Sequence, residues 1–307
     1  MAKSKSFFGL RRGSTKSLTF SVYEGQQVTK DRVTEVKNPR SPSQMEQRMH
    51  MATALAVYSA GKEIFDHSFQ GVTYGAKSMN KFLGENVKLV RENYLAGTHN
   101  FNENIFGNKA ALGGKYKVSE GTLAAYNSSN VTFDEDSSAV KVAICIGATC
   151  TVGGIKRFLG LSSGDYLTAI ALLHGSSKIA LADHEQYNTG ELMISRMYLP
   201  DAADETEITA QNLATIVDFE TKNVASISLT STGSSTATKW YLEISIPATF
   251  SKADAVAAIK SAKLNGVWAR STQYFNFIAD ALDVVPSEAI ETYPLGPSYV
   301  LNGGDIE

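Results

Sequence analysis

The residues best suited to chemistry crowd into the first fifty positions. Arg11, Arg12, Lys16, Lys30, Arg32, Lys37, Arg40 and Arg48 share that stretch with Phe7, Phe8, Phe20 and Tyr23, and with Gln26, Gln27, Gln44 and Gln47. Cationic side chains neutralise backbone phosphates, and aromatic rings stack on unpaired bases at ~1–3 kcal/mol per base. The candidate nucleic-acid contacts are therefore Arg11, Arg12, Lys16, Lys30, Arg32, Arg40 and Arg48 for phosphates, with Phe8 and Tyr23 for bases. Phe20 alternates with polar residues alongside Leu18 and Val22, which assigns it to a core. The competing reading of the same residues is a solvated basic face.

Elsewhere the motifs of catalysis fail on context. Gly160-Leu161-Ser162-Ser163-Gly164 fits G-x-S-x-G, but a nucleophile elbow needs a strand before it and a helix after it. The run that follows, Asp165 to Leu173, reads as a strand, so a glycine-rich turn is expected, and no histidine and acid can be matched to the serine. In Gly71 to Ser78 (GVTYGAKS), three residues separate the glycines and Ala76 stands before Lys77, which is not phosphate-loop spacing. The five histidines (50, 67, 99, 174 and 184) include no pair at ligand spacing on a helix. Cys145 and Cys150 form no CxxC and suggest a hairpin or core pair. No catalytic residue, metal site or cofactor is expected, and the chain reads as a non-enzyme.

The elements that must position the basic residues follow from periodicity. Leu18, Phe20 and Val22 predict a half-buried strand, Glu24-Gly25 a turn, and Gln26 to Val33 a returning strand. Ser41, Pro42 and Gln44 predict a helix start, with Met45, Met49, Ala52, Ala56 and Ala60 as its apolar stripe. A second helix is predicted from about Lys77 to Leu95, with Met79, Phe82, Leu83, Val87, Val90 and Tyr94 as core. Residues 98–125 carry Gly107, Gly113 and Gly114 and read as a linker or arm. Beyond it, Ala139–Ile146, Tyr166–Leu173, Leu192–Tyr198 and Trp240–Ile246 predict strands, and Ser231–Thr236 a polar hairpin loop. Ser251 and Asp254 suggest a capping box for a short helix burying Val256, Ile259 and Ala262, followed by a strand from Val267 to Ile278.

The expected fold class is α+β. A basic β-hairpin and two-helix segment (1–97) and a linker (98–125) precede a mainly antiparallel sandwich or barrel-like domain (126–307) with one short C-terminal helix. The chain has 307 residues, 43% of them hydrophobic and 20% charged, which excludes disorder as its overall class. Its opening MAKSKS has no apolar run, so no secretory signal is expected, and no stretch reaches the ~20 apolar residues of a membrane span. The formal net charge of −2 conceals a strong asymmetry. Residues 1–120 carry 18 Lys/Arg and 10 Asp/Glu, a net of +8; residues 121–307 carry 11 and 21, a net of −10. Such a split suggests a polyanion at the basic end, or basic–acidic contact between subunits.

The segments FFGLRRGSTKSLTF (Phe7–Phe20), GQQVTKDRV (Gly25–Val33) and VKNPRSPSQMEQRM (Val36–Met49) resemble a family of proteins from gut bacteria and their small phages. The most specific stretch is the run from Asn38 to Arg48, NPRSPSQMEQR. The resemblance covers about a sixth of the chain and carries no established activity. It implies a phage or mobile-element origin, in the cytoplasm of a bacterial host or in a virion. Together these readings suggest a non-enzymatic nucleic-acid-binding protein that prefers single-stranded DNA and forms a homo-oligomer. The alternative is a virion structural or assembly protein whose basic N-terminal arm contacts neighbouring subunits or the genome.

Overall fold

Alternation of apolar and polar residues organises the first strands. In a computed structural model, β1 (Ala2–Ser4), β2 (Gly13–Ser14), β3 (Leu18–Tyr23) and β4 (Gln26–Asp31) form an antiparallel sheet in the order β1-β4-β3-β2. Tyr23 pairs with Gln26, so the strand expected at Leu18, Phe20 and Val22 pairs with the returning strand expected from Gln26, while Glu24 and Gly25 lie outside the described residues. The structure describes residues 2–4, 13–14, 18–23, 26–31, 47, 50–51, 54–55, 57–59, 61–95, 115–175, 178–181, 184–187, 191–233 and 238–277. The stripe Met45, Met49, Ala52, Ala56 and Ala60 lies outside them, as does Tyr94's side chain. The chain divides into two compact units, Met1–Ser41 and Pro42–Glu307.

In the second unit, α1 (Lys62–Ser68) and α2 (Ala76–Leu95) precede β5 (Lys117–Ser119), β6 (Val131–Asp134), β7 (Ala139–Ile146) and α3 (Val152–Leu159). Next come β8 (Tyr166–Gly175), β9 (Lys178–Leu181), β10 (His184–Tyr187), β11 (Glu191–Tyr198), α4 (Leu213–Ile216), β12 (Phe219–Lys222), β13 (Ser226–Thr232) and β14 (Lys239–Ser245). The last are β15 (Phe250–Leu264), β16 (Val267–Arg270), β17 (Gln273–Tyr274) and β18 (Asn276–Phe277). Six strands make one antiparallel sheet, ordered β12-β11-β8-β15-β16 with β18 also on β15. Four make a second, β13-β14-β7-β6. The class is α+β and mostly antiparallel, and among the described residues neither sheet closes into a barrel.

Each face of the six-stranded sheet has its own apolar core. One face contributes Leu167, Ala169, Ala171, Met193, Val256 and Ala258 to a cluster with Val140, Val142, Leu242 and Ile244 of the four-stranded sheet. The other contributes Ile170, Leu172, Leu192, Ile194, Ala257 and Ile259 to a cluster with the helices, through Ile64, Phe65, Phe82, Leu83 and Val90. Phe65 and Phe82 pack with ring centroids 4.8 Å apart. Tyr116 and Val118, on and beside β5, are buried in that same core. Asn86 holds α2 to β5: its side-chain carbonyl accepts from Lys117 N at 2.7 Å, and its amide donates to Lys117 O at 3.0 Å.

The helix expected from Ser251 is instead β15, fifteen residues long and central to the sheet. Positions three apart share one face of a helix but lie on opposite faces of a strand. Val256 faces the sheet–sheet core and Ile259 the helix core, so the apolar residues at helical spacing are satisfied because both faces are covered. A register shift between Ala253 and Ala255 moves side chains to the other face within the same strand. The strand expected from Val267 to Ile278 is broken into β16, β17 and β18.

Candidate functional site

Eight of the nine residues expected to contact nucleic acid belong to the first unit, and Arg48 belongs to the second. Lys30 is exposed on β4, where Gln27 and Val28 are buried and Asp31 is exposed. It pairs with Thr19 across the hairpin. Tyr23 ends β3. Phe20 is half-buried on that strand, in keeping with its assignment to a packed face. Arg11, Arg12, Lys16, Arg32, Arg40, Arg48 and Phe8 lie outside the described residues. The unit Met1–Ser41 contains nine Lys/Arg and three Asp/Glu, a net of +6, whereas residues 42–307 carry 20 and 28, a net of −8.

The catalytic motifs resolve into structural ones. Gly160 caps α3 in the left-handed region at φ 65°, and its N–H donates to Lys156 O at 2.8 Å. Ser162 N–H donates to the Asp165 carboxylate at 2.8 Å, and β8 begins at Tyr166. The order is thus helix, turn, strand, and the glycine-rich turn into a strand holds. In GVTYGAKS, Ser78 is buried and its hydroxyl donates to Phe65 O at 2.7 Å. Cys145 and Cys150 are free thiols buried in the sheet–sheet core. Hydrogen bonding between them pushes Cys145 down and Cys150 up, with burial adding to the rise at Cys150. Among the described residues no three His, Cys, Asp or Glu side chains are grouped to hold a metal ion.

A second cationic cluster lies at one end of the six-stranded sheet, on its helix-facing side. Pairing aligns Glu220, Arg196, Thr168 and Ile259 across β12, β11, β8 and β15. Two residues further along, Tyr198, Tyr166, Ser261 and Arg270 line up across β11, β8, β15 and β16. Directly opposed side chains lie within contact distance in such rows, so register alone assembles the cluster. The Arg196 and Arg270 guanidiniums sit over the Tyr166 ring, 5.0 and 5.5 Å from its centroid. Trp268 packs against Tyr166 at 4.9 Å and against the Arg270 guanidinium at 5.3 Å. Cation–π contacts of this kind hold a guanidinium in place without neutralising it.

The two arginines are partnered unequally. Arg196 Nη1 donates to Glu220, whose other bond comes from Tyr198 OH at 3.0 Å. Arg196 Nε is buried and donates to no acceptor among the described residues. Arg270 is only 5% exposed; its Nε donates to His67 O at 2.9 Å, and no carboxylate among the described residues forms an ion pair with it. Burial pulls its guanidinium below the ordinary value; Tyr166 opposes that and the Arg196 charge adds to it. Ile64, His67 and Ser68 of α1 close one side of a small cleft, with Tyr166, Thr168, Arg196, Ile259, Ser261 and Arg270 lining the rest. Sequence reading passes over this cluster because its residues are spread from 64 to 270 and only strand register unites them. The one local signal is Arg196, the single cation in the mostly apolar strand ELMISRMY.

Compared with protein-family models, with curated proteins and with solved structures, the chain shows no match in any of the three.

Proposed function

We propose that the protein is a non-enzymatic nucleic-acid-binding protein that prefers single-stranded DNA and uses its N-terminal unit as the binding surface. The observation that carries this reading is the coincidence of charge with architecture: the net of +6 falls within a separate compact unit of 41 residues. A charged surface attached to a folded body favours a polyanion by releasing its condensed counterions. Lys30, exposed on β4, is one contact, with Arg11, Arg12, Lys16, Arg32, Arg40 and Arg48 supplying the others and Phe8 and Tyr23 the stacking. The two sheets with a common core are read as a β-sandwich backed by helices, the scaffold that carries this surface. A phage origin, and action in a bacterial cytoplasm or a virion, accord with the resemblance of residues 7–51. No helix among the described residues is long and apolar enough to cross a membrane. The double substitution Arg11→Ala with Arg12→Ala tests the reading. Each lost phosphate contact should flatten the salt dependence of single-strand affinity by ~0.7 log units per log unit of salt, so by ~1.4 for the pair. An unchanged slope and affinity would overturn it.

A second reading, assembly between copies of the chain, has its own support. The β15–β16 turn, with Asn265 and Gly266 at positive φ, carries Leu264 and Val267 at 51% and 59% exposure beside Trp268. An apolar hairpin tip is suited to contact with a neighbouring subunit. Deleting residues 2–16 tests the first reading and Leu264→Lys with Val267→Lys the second: loss of DNA binding with assembly retained in the deletion supports the first, and a folded monomer from the double substitution supports the second.

A further inference from the structure

We propose that the cleft between α1 and the Arg196–Arg270 end of the six-stranded sheet is a binding site for a phosphate group. This is independent of the N-terminal reading, because every residue of the cleft lies in the second unit. Two guanidiniums line it, and among the described residues one carboxylate, Glu220, is in ion-pair reach of either. Glu220 stands at the rim with 63% of its side chain exposed and engages one nitrogen of Arg196. The Arg196 Nε donor is left buried and unused among the described residues, and Arg270 is nineteen-twentieths buried, held by the His67 and Ala269 carbonyls and by Tyr166, with no carboxylate among the described residues to neutralise it. Buried donors without acceptors are rare in folded proteins and mark a place where a ligand or ion completes the set.

The lining fixes the class of ligand. Guanidinium forks match oxyanions with paired N–H donors, and here Tyr166 and Trp268 hold the forks before anything binds. The hydroxyls of Thr168 and Ser261, both buried, add donors from two further strands. Donors arriving from four strands suit a tetrahedral anion better than a planar carboxylate. The cleft is narrow, with a free volume of about 20 Å³, so it admits an oxygen of an oxyanion and not a sugar or a base. His67 is exposed at the edge, so a phosphate carried on a larger molecule can enter with its remainder in solvent.

The test is titration of the full chain with inorganic phosphate at constant ionic strength, read by tryptophan fluorescence and by calorimetry. Parallel arms use acetate, chloride and a nucleoside 5′-monophosphate. Trp268 sits in the cluster whereas Trp240 donates to Gly147 O on the other sheet, so Trp268→Phe assigns the optical signal. Saturable phosphate binding is expected, at least ten-fold weaker in Arg196→Gln and in Arg270→Gln, with Arg196→Lys failing to restore it. If Arg270→Gln unfolds the protein, the half-buried Arg196 carries the test alone. Binding of the monophosphate as well as free phosphate identifies a phosphoryl group on a larger ligand; binding of phosphate alone identifies the free ion. A response to phosphate no greater than to chloride, an equal affinity for acetate, or unchanged binding in Arg196→Gln would overturn the assignment.

Discussion

In the first forty-one residues nine cations face three acids, and the buried side chains described there are Gln27 and Val28. In the remainder the acids outnumber the cations, and the cations that stand out are buried. Lys260 is 8% exposed and donates to Leu159 O at the end of α3, and Arg270 is 5% exposed against Tyr166 and Trp268. The difference separates the two proposals: in one the cations are concentrated in a small unit, and in the other they are fixed inside a packed body. Exposed cations on a small sheet act additively and yield to salt; cations fixed between aromatic rings and carbonyls act on one group of defined shape.

The sharpest way to break this comparison is to damage the core of the second unit and ask whether the first still works. Phe82 is wholly buried among Tyr58, Phe65 and Phe69, so Phe82→Ala should cost ~3–5 kcal/mol in urea unfolding. DNA affinity of the fraction that remains folded should not change. Coupled losses would show that the two units do not act separately.

A smaller effect is expected at the turn that leads into β8. Gly160 is at φ 65° with open space where a Cβ would stand, so Gly160→Ala meets a backbone penalty alone. A loss of ~1 kcal/mol is expected in thermal unfolding, with phosphate titration of the Arg196–Arg270 cleft unaltered.

The smallest is in the ion-pair network between α2 and β5. Lys117 bonds Glu120 at 2.7 Å and Glu85 at 3.0 Å, and Lys81 joins both. Lys81 and Lys117 hold Glu85 below the ordinary carboxylate value, and Lys117 and then Lys81 do the same for Glu120. Because these native carboxylates bind protons less readily than the unfolded ones, their contribution is complete above the ordinary value near 4.5 and falls away as pH drops through the lowered values. Both carboxylates are about one-third exposed, so Lys117→Met should cost under ~1 kcal/mol at pH 7 and less again at pH 3. A cost that does not shrink in acid would assign Lys117 a packing role instead.

What the sequence made legible was local. The β3–β4 hairpin, β7, β8 and β14 were readable because period 2 or an unbroken apolar run coincides with a strand. The helix expected from Lys77 to Leu95 is α2, one residue longer at its start, with Phe82, Leu83 and Val90 buried as expected. β15 misled because Val256, Ile259 and Ala262, at helical spacing, fill two cores at once. α3 passed unnoticed because Gly153 and Gly154 occupy its first turn, where backbone passes close to Asp204 and Cys145 and leaves no room for a Cβ. Of the expected nucleic-acid contacts, Lys30 is exposed in the described structure. The Arg196–Arg270 cleft was beyond reach because it exists only through the register of four strands brought together from distant parts of the chain.

The central claim is that the N-terminal unit binds single-stranded nucleic acid. The most direct measurement is titration of the purified chain against labelled single-stranded and duplex DNA at two salt concentrations. The account predicts micromolar or tighter binding that favours the single strand and weakens steeply as salt rises. Absence of binding at low salt would contradict it and shift the weight to assembly between copies of the chain.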